Sequence, residues 1–582
     1  DPIRDVYLTE GETYTQERAA AGQNVKLRFN AERDGPVQIV QLRMWSLGQL
    51  AGLNVQVSSP AGQVIWTGSS AGTELQTPAL RLYESGQYIA TIQWVQGKGI
   101  AGYHYEHLYS GKSPISKRQQ VPLTNGRVGH SVTVLRNNQV LITGGDNAAS
   151  TRGHHHIQAS DTAEVLTAST GEATATANMN TARAYHTATR IIAPEAPQDG
   201  HVLIAGGLTK MGAIRSTEIF DPETNTFEPG PQLPGARAYQ SALAIAGTGS
   251  FLDGTIILAG GEFTRPGPQH DLVEGLYSEV DENPTNLPTD TIQKPERSSL
   301  WYFRAGDDSI KRVGQEMTYG RIAPTLTLLN DGRILILGGG IDSLPTAPGC
   351  STQTLGCRCT NSVALCTQYQ CTADECDEDQ YVNYVRKDVA TDLVEVYDTG
   401  TGELTVLDAK MKKARVGHTA TRLPNGQILI AGGASAHRRN FQSDEGGLLE
   451  YARSLDSVEV FDPEFNTFRL LPVLSIPREG HSAMLSQGNC ALNESRCVLL
   501  AGGQRSVPGT MASVTALSFF DLSTEQFHIQ DISTPARIGS ITINIPAENT
   551  ALLIGGTNDE GISSETQSAE ILTWTPSGTD LP

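Results

Sequence analysis

Excess positive charge is the first thing this chain lacks. Its 43 Lys and Arg stand against 63 Asp and Glu, a formal net charge of −20 over 582 residues. That balance speaks against a nucleic acid or an anionic membrane as partner, because both select clustered cations. No apolar run reaches the roughly 18 to 20 residues that cross a bilayer; the near-apolar stretch Ile334 to Leu337 reads as a buried strand. A phosphate loop, a nucleophile elbow, a zincin helix and a carboxylate pair are all missing. So is an initiating Met: the chain opens at Asp1, as expected of the processed form of an exported protein.

Seven copies of one local pattern are present. An Arg stands three residues ahead of a small or His position; a β-rich run, a Gly-Gly pair and a short aliphatic-aromatic run follow. The arginines are Arg127, Arg183, Arg237, Arg321, Arg415, Arg478 and Arg537, and the pairs that answer them begin at Gly144, Gly206, Gly260, Gly338, Gly432, Gly502 and Gly555. A unit of roughly 50 to 95 residues with a diglycine in each predicts a β-propeller of seven four-stranded blades. The last unit lacks a fourth strand, and the segment Lys117 to Leu123 stands where a fourth strand precedes every other Arg. That segment is therefore expected to complete the last blade, so that N- and C-terminal strands close the ring and remove its exposed edges. Residues 1–112 carry no repeat but alternate like strands, as in Val25–Phe29, Leu53–Val57 and Tyr88–Ile92, which predicts an antiparallel β-sandwich.

The repeats, with runs such as "EVYD" and "ARVGHTATRL … QILIAGG", resemble those of bacterial kelch proteins. The N-terminal "AGQNVKLRF … LYESGQYIATIQW" resembles the pre-peptidase C-terminal type of accessory domain. The whole chain is thus read as all-β: an N-terminal β-sandwich (1–112), then a seven-bladed kelch β-propeller (113–582). Three insertions at 262–298, 341–391 and 434–455 follow diglycines and should leave one face of the ring, and long loops on a rigid scaffold are where function concentrates. Tyr277, Tyr369, Tyr381 and Tyr384 in this canopy are candidate binding residues.

The arginines have two readings. In kelch domains that bind acidic peptides, arginines near the channel mouth grip carboxylates. Here Glu164, Glu218, Glu395, Glu459 and Glu570 recur at one position of the third strand, so structural pairing is preferred. His130, His186, His418 and His481 follow an Arg by three, and the offset predicts that Arg and His address the two neighbouring blades, not the channel. Tyr185-His186 resembles the Tyr-His pair of galactose-oxidase-like copper enzymes, which also need a Tyr crosslinked to Cys, another His and another Tyr. The cysteines lie in loops, so copper is disfavoured and no cofactor is expected.

Of eight cysteines, Cys350, Cys357, Cys359, Cys366, Cys371 and Cys376 crowd one insertion, while Cys490 and Cys497 sit together elsewhere. Their spacing does not match paired zinc hooks, which favours disulfides that staple a coreless insertion and an exported protein. Weak metal candidates are His154 and His156, and Asp374, Asp377 and Asp379 for Ca2+. The expected role is a binding or assembly module at the cell surface, extracellular or on the outer membrane, with the periplasm as another site, meeting a protein or glycan and serving within a larger assembly. The alternatives are a copper-radical oxidase or other carbohydrate-active enzyme, and a lectin-like adhesin.

Overall fold

A computed structural model describes residues 4–7, 13–31, 38–77, 80–82, 86–108, 115–147, 158–261, 298–342, 388–435, 454–474, 476–489, 496–507, 510–533, 537–545, 549–557 and 567–574. Among them no helix is long and apolar enough to cross a membrane.

Up to Leu108 the chain forms two sheets on one core. One orders its strands Arg4–Tyr7, Asn24–Ala31, Gly86–Gln96, Ala51–Ser58 and Val64–Ser70. In the other, Lys98–Leu108 lies between Thr13–Ala20 and Gln38–Gly48. Alternate residues from both sheets meet inside: Val25, Leu27 and Phe29, Val40, Leu42 and Met44, Leu53, Val55 and Val57, Ala90, Ile92 and Trp94. This is the two-residue period of strands with one covered face.

Among the described residues seven four-stranded antiparallel arrays follow, six as separate sheets and one within a nine-stranded sheet. The second comprises Thr187–Arg190, Val202–Ala205, Thr217–Asp221 and Thr226–Pro229, and the fifth Thr419–Arg422, Ile428–Ala431, Val458–Asp462 and Thr467–Leu471. In the seventh, Ile115–Pro122 pairs antiparallel with Ser568–Trp574, so one sheet is built from both ends of the repeat region. The first strands lie side by side in a cycle, and that of the seventh sheet returns to that of the first.

Apolar clusters between sheets form the same cycle. Leu141 and Val165 of the first sheet pack with Val202, Ile204 and Phe220 of the second. Val140 and Ile142 on the first sheet's other face pack with Leu552, Ile554 and Ile571 of the seventh. A second strand is thus covered on both faces, which is why Val202–Ala205 and Ile428–Ala431 are buried at every residue and read as short continuous apolar runs.

The sixth sheet extends further: Gln526–Ser533, its outer strand, meets the N-terminal unit through a parallel pairing of Leu108 with Ile529.

Candidate functional site

The diglycines form the rim of the ring. The second glycine of each pair donates its N–H to the carbonyl of the next unit's Arg, at 2.8–3.0 Å, from Gly145 to Arg183 around to Gly556 to Arg127. Each guanidinium turns back into its own sheet and donates to the carbonyl of that sheet's first glycine, as Arg183 does to Gly206 at 2.8 Å and Arg415 to Gly432 at 2.7 Å. Carboxylates on the third strands complete the arrangement. Arg183 meets Glu218 at 2.7 Å, Arg415 meets Glu459 at 2.5 Å, Arg537 meets Glu570 at 3.3 Å, and Arg127 and Arg321 meet Glu164 and Glu395. All seven arginine side chains are fully buried. No carboxylate arriving from solvent can reach them without dismantling the ring. Arg415→Met would leave Glu459 buried without its cation, a loss of about 3 kcal/mol by urea unfolding. Glu459→Gln should cost less, because Arg415 keeps the Gly432 and Ser457 carbonyls, although the single amide oxygen can accept only one of the Lys412 and Lys413 N–H groups that now bond separate carboxylate oxygens.

The histidines reach the other way. His186 Nε2 bonds Thr143 Oγ1 of the first sheet at 2.9 Å, and His418 and His481 make the same link to Thr325 and Thr419 at 3.1 and 3.0 Å. The spacing of three therefore separates an intrasheet Arg from an intersheet His: the expectation that each addresses a neighbouring blade holds for these histidines and is corrected for the arginines. Burial beside an arginine pushes His130 and His418 down to about 3, and His186 and His481 well below their ordinary value.

The residue directly before the His position has positive φ in every sheet. Four sheets place glycine there: Gly129, Gly417, Gly480 and Gly539. The adjacent second, third and fourth place Tyr185 (φ 54°), Tyr239 (φ 55°) and Ala323 (φ 47°). A bulky side chain in this region is costly by roughly 1–2 kcal/mol and persists only where its surroundings hold it. Here a backbone ladder does: Tyr185 N–H donates to Gly129 at 2.6 Å, Tyr239 to Tyr185 at 3.1 Å, and Ala323 to Tyr239 at 3.0 Å. The two rings lie 4.6 Å apart, tilted by 32°. Gly129 leaves room for them, since a Cβ there would sit 2.6 Å from the Tyr185 ring. Burial, with Asp146 nearby, pushes the Tyr185 hydroxyl up to about 12, so it stays protonated.

Asp146 accepts the Gln158 N–H at 2.9 Å, and Glu479 of the sixth sheet meets Ser454 and Gln504 at 3.3 and 3.4 Å. Asp146 thus lies close enough to the half-buried aromatic pair to act on the Tyr185 hydroxyl, while Glu479 keeps to the loops of the fifth and sixth sheets. The sequence signal for the pair was two tyrosines at a position where four units have glycine.

Many sequence candidates lie outside the described residues: Tyr277, Tyr369, Tyr381, Tyr384, His154, His156, Asp374, Asp377, Asp379, Cys490 and the six cysteines from Cys350 to Cys376. Cys497 is described. It is fully buried in Arg496–Ala501 and disulfide-bonded, and its N–H donates to Ser486 Oγ at 2.9 Å. Attachment points of the long insertions are also visible. The one in the fourth sheet leaves and returns as Gly340–Asp342 paired with Asp388–Ala390, and the fifth's begins and ends at bridged Ala434 and Ser454.

The Kelch motif family matches residues 197–234, the second to fourth strands of the second sheet and their flanks. Galactose oxidase of Gibberella zeae strain PH-1 is 22% identical over 325 residues, 49% of this chain and 39% of that protein, and a second galactose oxidase of Gibberella zeae matches equally. The chain thus spans about two fifths of the length of these relatives. Together these likenesses support a kelch-repeat propeller family. A solved structure titled "Structure of YjhT" covers 70% of this chain and 99% of its own at 15% identity and a TM-score of 0.40.

The Tyr185-His186 pair, as it stands in the ring, does not fit a copper centre. His186, the imidazole of the Tyr-His pair, spends its Nε2 on Thr143, and the Tyr185 hydroxyl pairs with Tyr239. Among the described residues no three His, Cys, Asp or Glu gather as metal ligands would.

Proposed function

We propose that this chain is an exported, seven-bladed kelch propeller with residues 1–112 as an accessory β-sandwich. It acts as a binding or assembly module at the cell surface and meets a protein or glycan at the rim that carries the insertions of blades three to five. One observation carries this reading: every loop that follows a diglycine starts from the same ring of arginine carbonyls. This supports putting the attachment points of 262–298, 341–391 and 434–455 on one rim with the Tyr185–Tyr239 pair. The arginines and the histidines are consumed in holding the ring, which leaves the loops and the mouth to make contacts. The cysteines of the fourth-blade insertion suit a stapled, exported loop.

Replacing 343–387 by a short turn should leave the thermal unfolding of the ring within a few degrees of wild type. The same change should abolish retention of partners from the native source and of sugars on a glycan array. Unchanged retention in both assays would refute the reading. A second reading, an oxidase, is favoured by the likeness to galactose oxidase over 49% of the chain. Under the first reading, native protein carries no stoichiometric copper and peptide mapping shows no Tyr–Cys crosslink mass; finding both would transfer the assignment to the oxidase.

A further inference from the structure

We propose that Glu74 and Arg505 form a latch that fixes the N-terminal β-unit against the sixth sheet. The inference is independent of the binding role above, since it concerns how the two parts of the chain are held together.

Three features support it. Glu74 stands in the short strand Glu74–Gln76, paired with Gln38–Gly48, and takes Arg43 Nε of that strand at 2.8 Å. Its other carboxylate oxygen meets Arg505, which belongs to the propeller. The three side chains are almost entirely shielded, at 5%, 16% and 17% exposure in chain order, and the Arg43 guanidinium lies 4.7 Å over the Trp45 ring. Two guanidiniums sharing one carboxylate out of water give a contact that depends on the single anion between them. Arg505 sits in the hairpin Gln504–Val507 with Thr510–Ser513, which rises directly behind the sixth diglycine. Its neighbour Gln504 bridges to Glu479. The latch thus grips the same kind of loop that carries the insertions of the other sheets. The Leu108–Ile529 pairing is a second attachment on the outer strand.

Hydrogen exchange followed by mass spectrometry on the full chain tests this. Arg505→Met leaves the Arg43–Glu74 pair intact inside the N-terminal unit. It should speed exchange in Glu74–Gln76 and Gln504–Val507 at least about tenfold, raise the radius of gyration in solution scattering, and spare the second strands of the ring. Arg43→Met keeps the Glu74–Arg505 bridge and should leave Gln504–Val507 as protected as in wild type. Glu74→Gln, which alters only the N-terminal side, should loosen Gln504–Val507 as Arg505→Met does. Wild-type exchange in Arg505→Met or Glu74→Gln overturns the latch. Equal loosening by Arg43→Met also overturns it, because packing within the N-terminal unit would then be what holds the parts together.

Discussion

Gly206→Ala is expected to destabilise the protein by about 4–5 kcal/mol, while Gly247→Ala costs about 1 kcal/mol. Both glycines have positive φ, 63° and 73°, so both substitutions carry the left-handed penalty of an L-residue. Only at Gly206 is the space also taken. A Cβ there would lie 2.5 Å from the Arg237 carbonyl oxygen, 2.9 Å from Gln240 Nε2 and 3.2 Å from Leu233, whereas nothing lies within 4 Å at Gly247. The Arg237 carbonyl cannot retreat freely, because it accepts the Gly207 N–H at 2.8 Å. Moving it adds overpacking strain and a weakened buried hydrogen bond to the backbone cost. Urea unfolding of the two variants compares them directly, and similar losses at both sites would show that the ring tolerates a side chain at its diglycine.

Acidification is expected to produce the largest loss of all. His130, His186, His418 and His481 are buried and held neutral, with folded pKa values pushed down, two of them to about 3. The unfolded histidines titrate near 6.5. Above that pH both states are neutral and the contribution is fully present. As pH falls below it, the unfolded chain takes up protons that the fold refuses, and stability drops by roughly 1.4 kcal/mol per pH unit for each histidine until the folded pKa is reached. At pH 5 this amounts to about 2 kcal/mol per histidine, or about 8 kcal/mol for the four. Urea midpoints at pH 7.5, 6 and 5 should fall accordingly, and His418→Gln should remove about one proton from the slope. Glutamine suits the site: Gln240 fills the same position in the third sheet and donates to the Ala205 carbonyl at 2.6 Å. A pH-independent midpoint would mean that these imidazoles gain protons within the folded ring.

The residues that could be read in advance were those whose partners recur with the unit. Arg183 and Glu218 meet in the second sheet just as Arg415 and Glu459 do in the fifth, and the repeat exposes both members together. The tyrosine pair was far less legible. Tyr185 and Tyr239 look like ordinary variants of a glycine position until the ring brings sheets two and three side by side and sets the two rings in contact. The Arg43–Glu74–Arg505 cluster left no trace in the chain at all, since its members come from parts with different periodicities. The histidines fall in between: their spacing from Arg pointed to a neighbouring sheet, and only the structure shows that it is the preceding one.

By itself the order of residues determined the strands, the unit and its buried cations, because period-2 burial, positive-φ glycines and an Arg with its Glu are local demands that each copy must meet. Tertiary structure alone decided which side chains meet across units. Closing a circle sets the distance between Gly129, Tyr185 and Tyr239, and docking one part of the chain on another sets that between Glu74 and Arg505. Neither distance is a property of any single stretch of the chain.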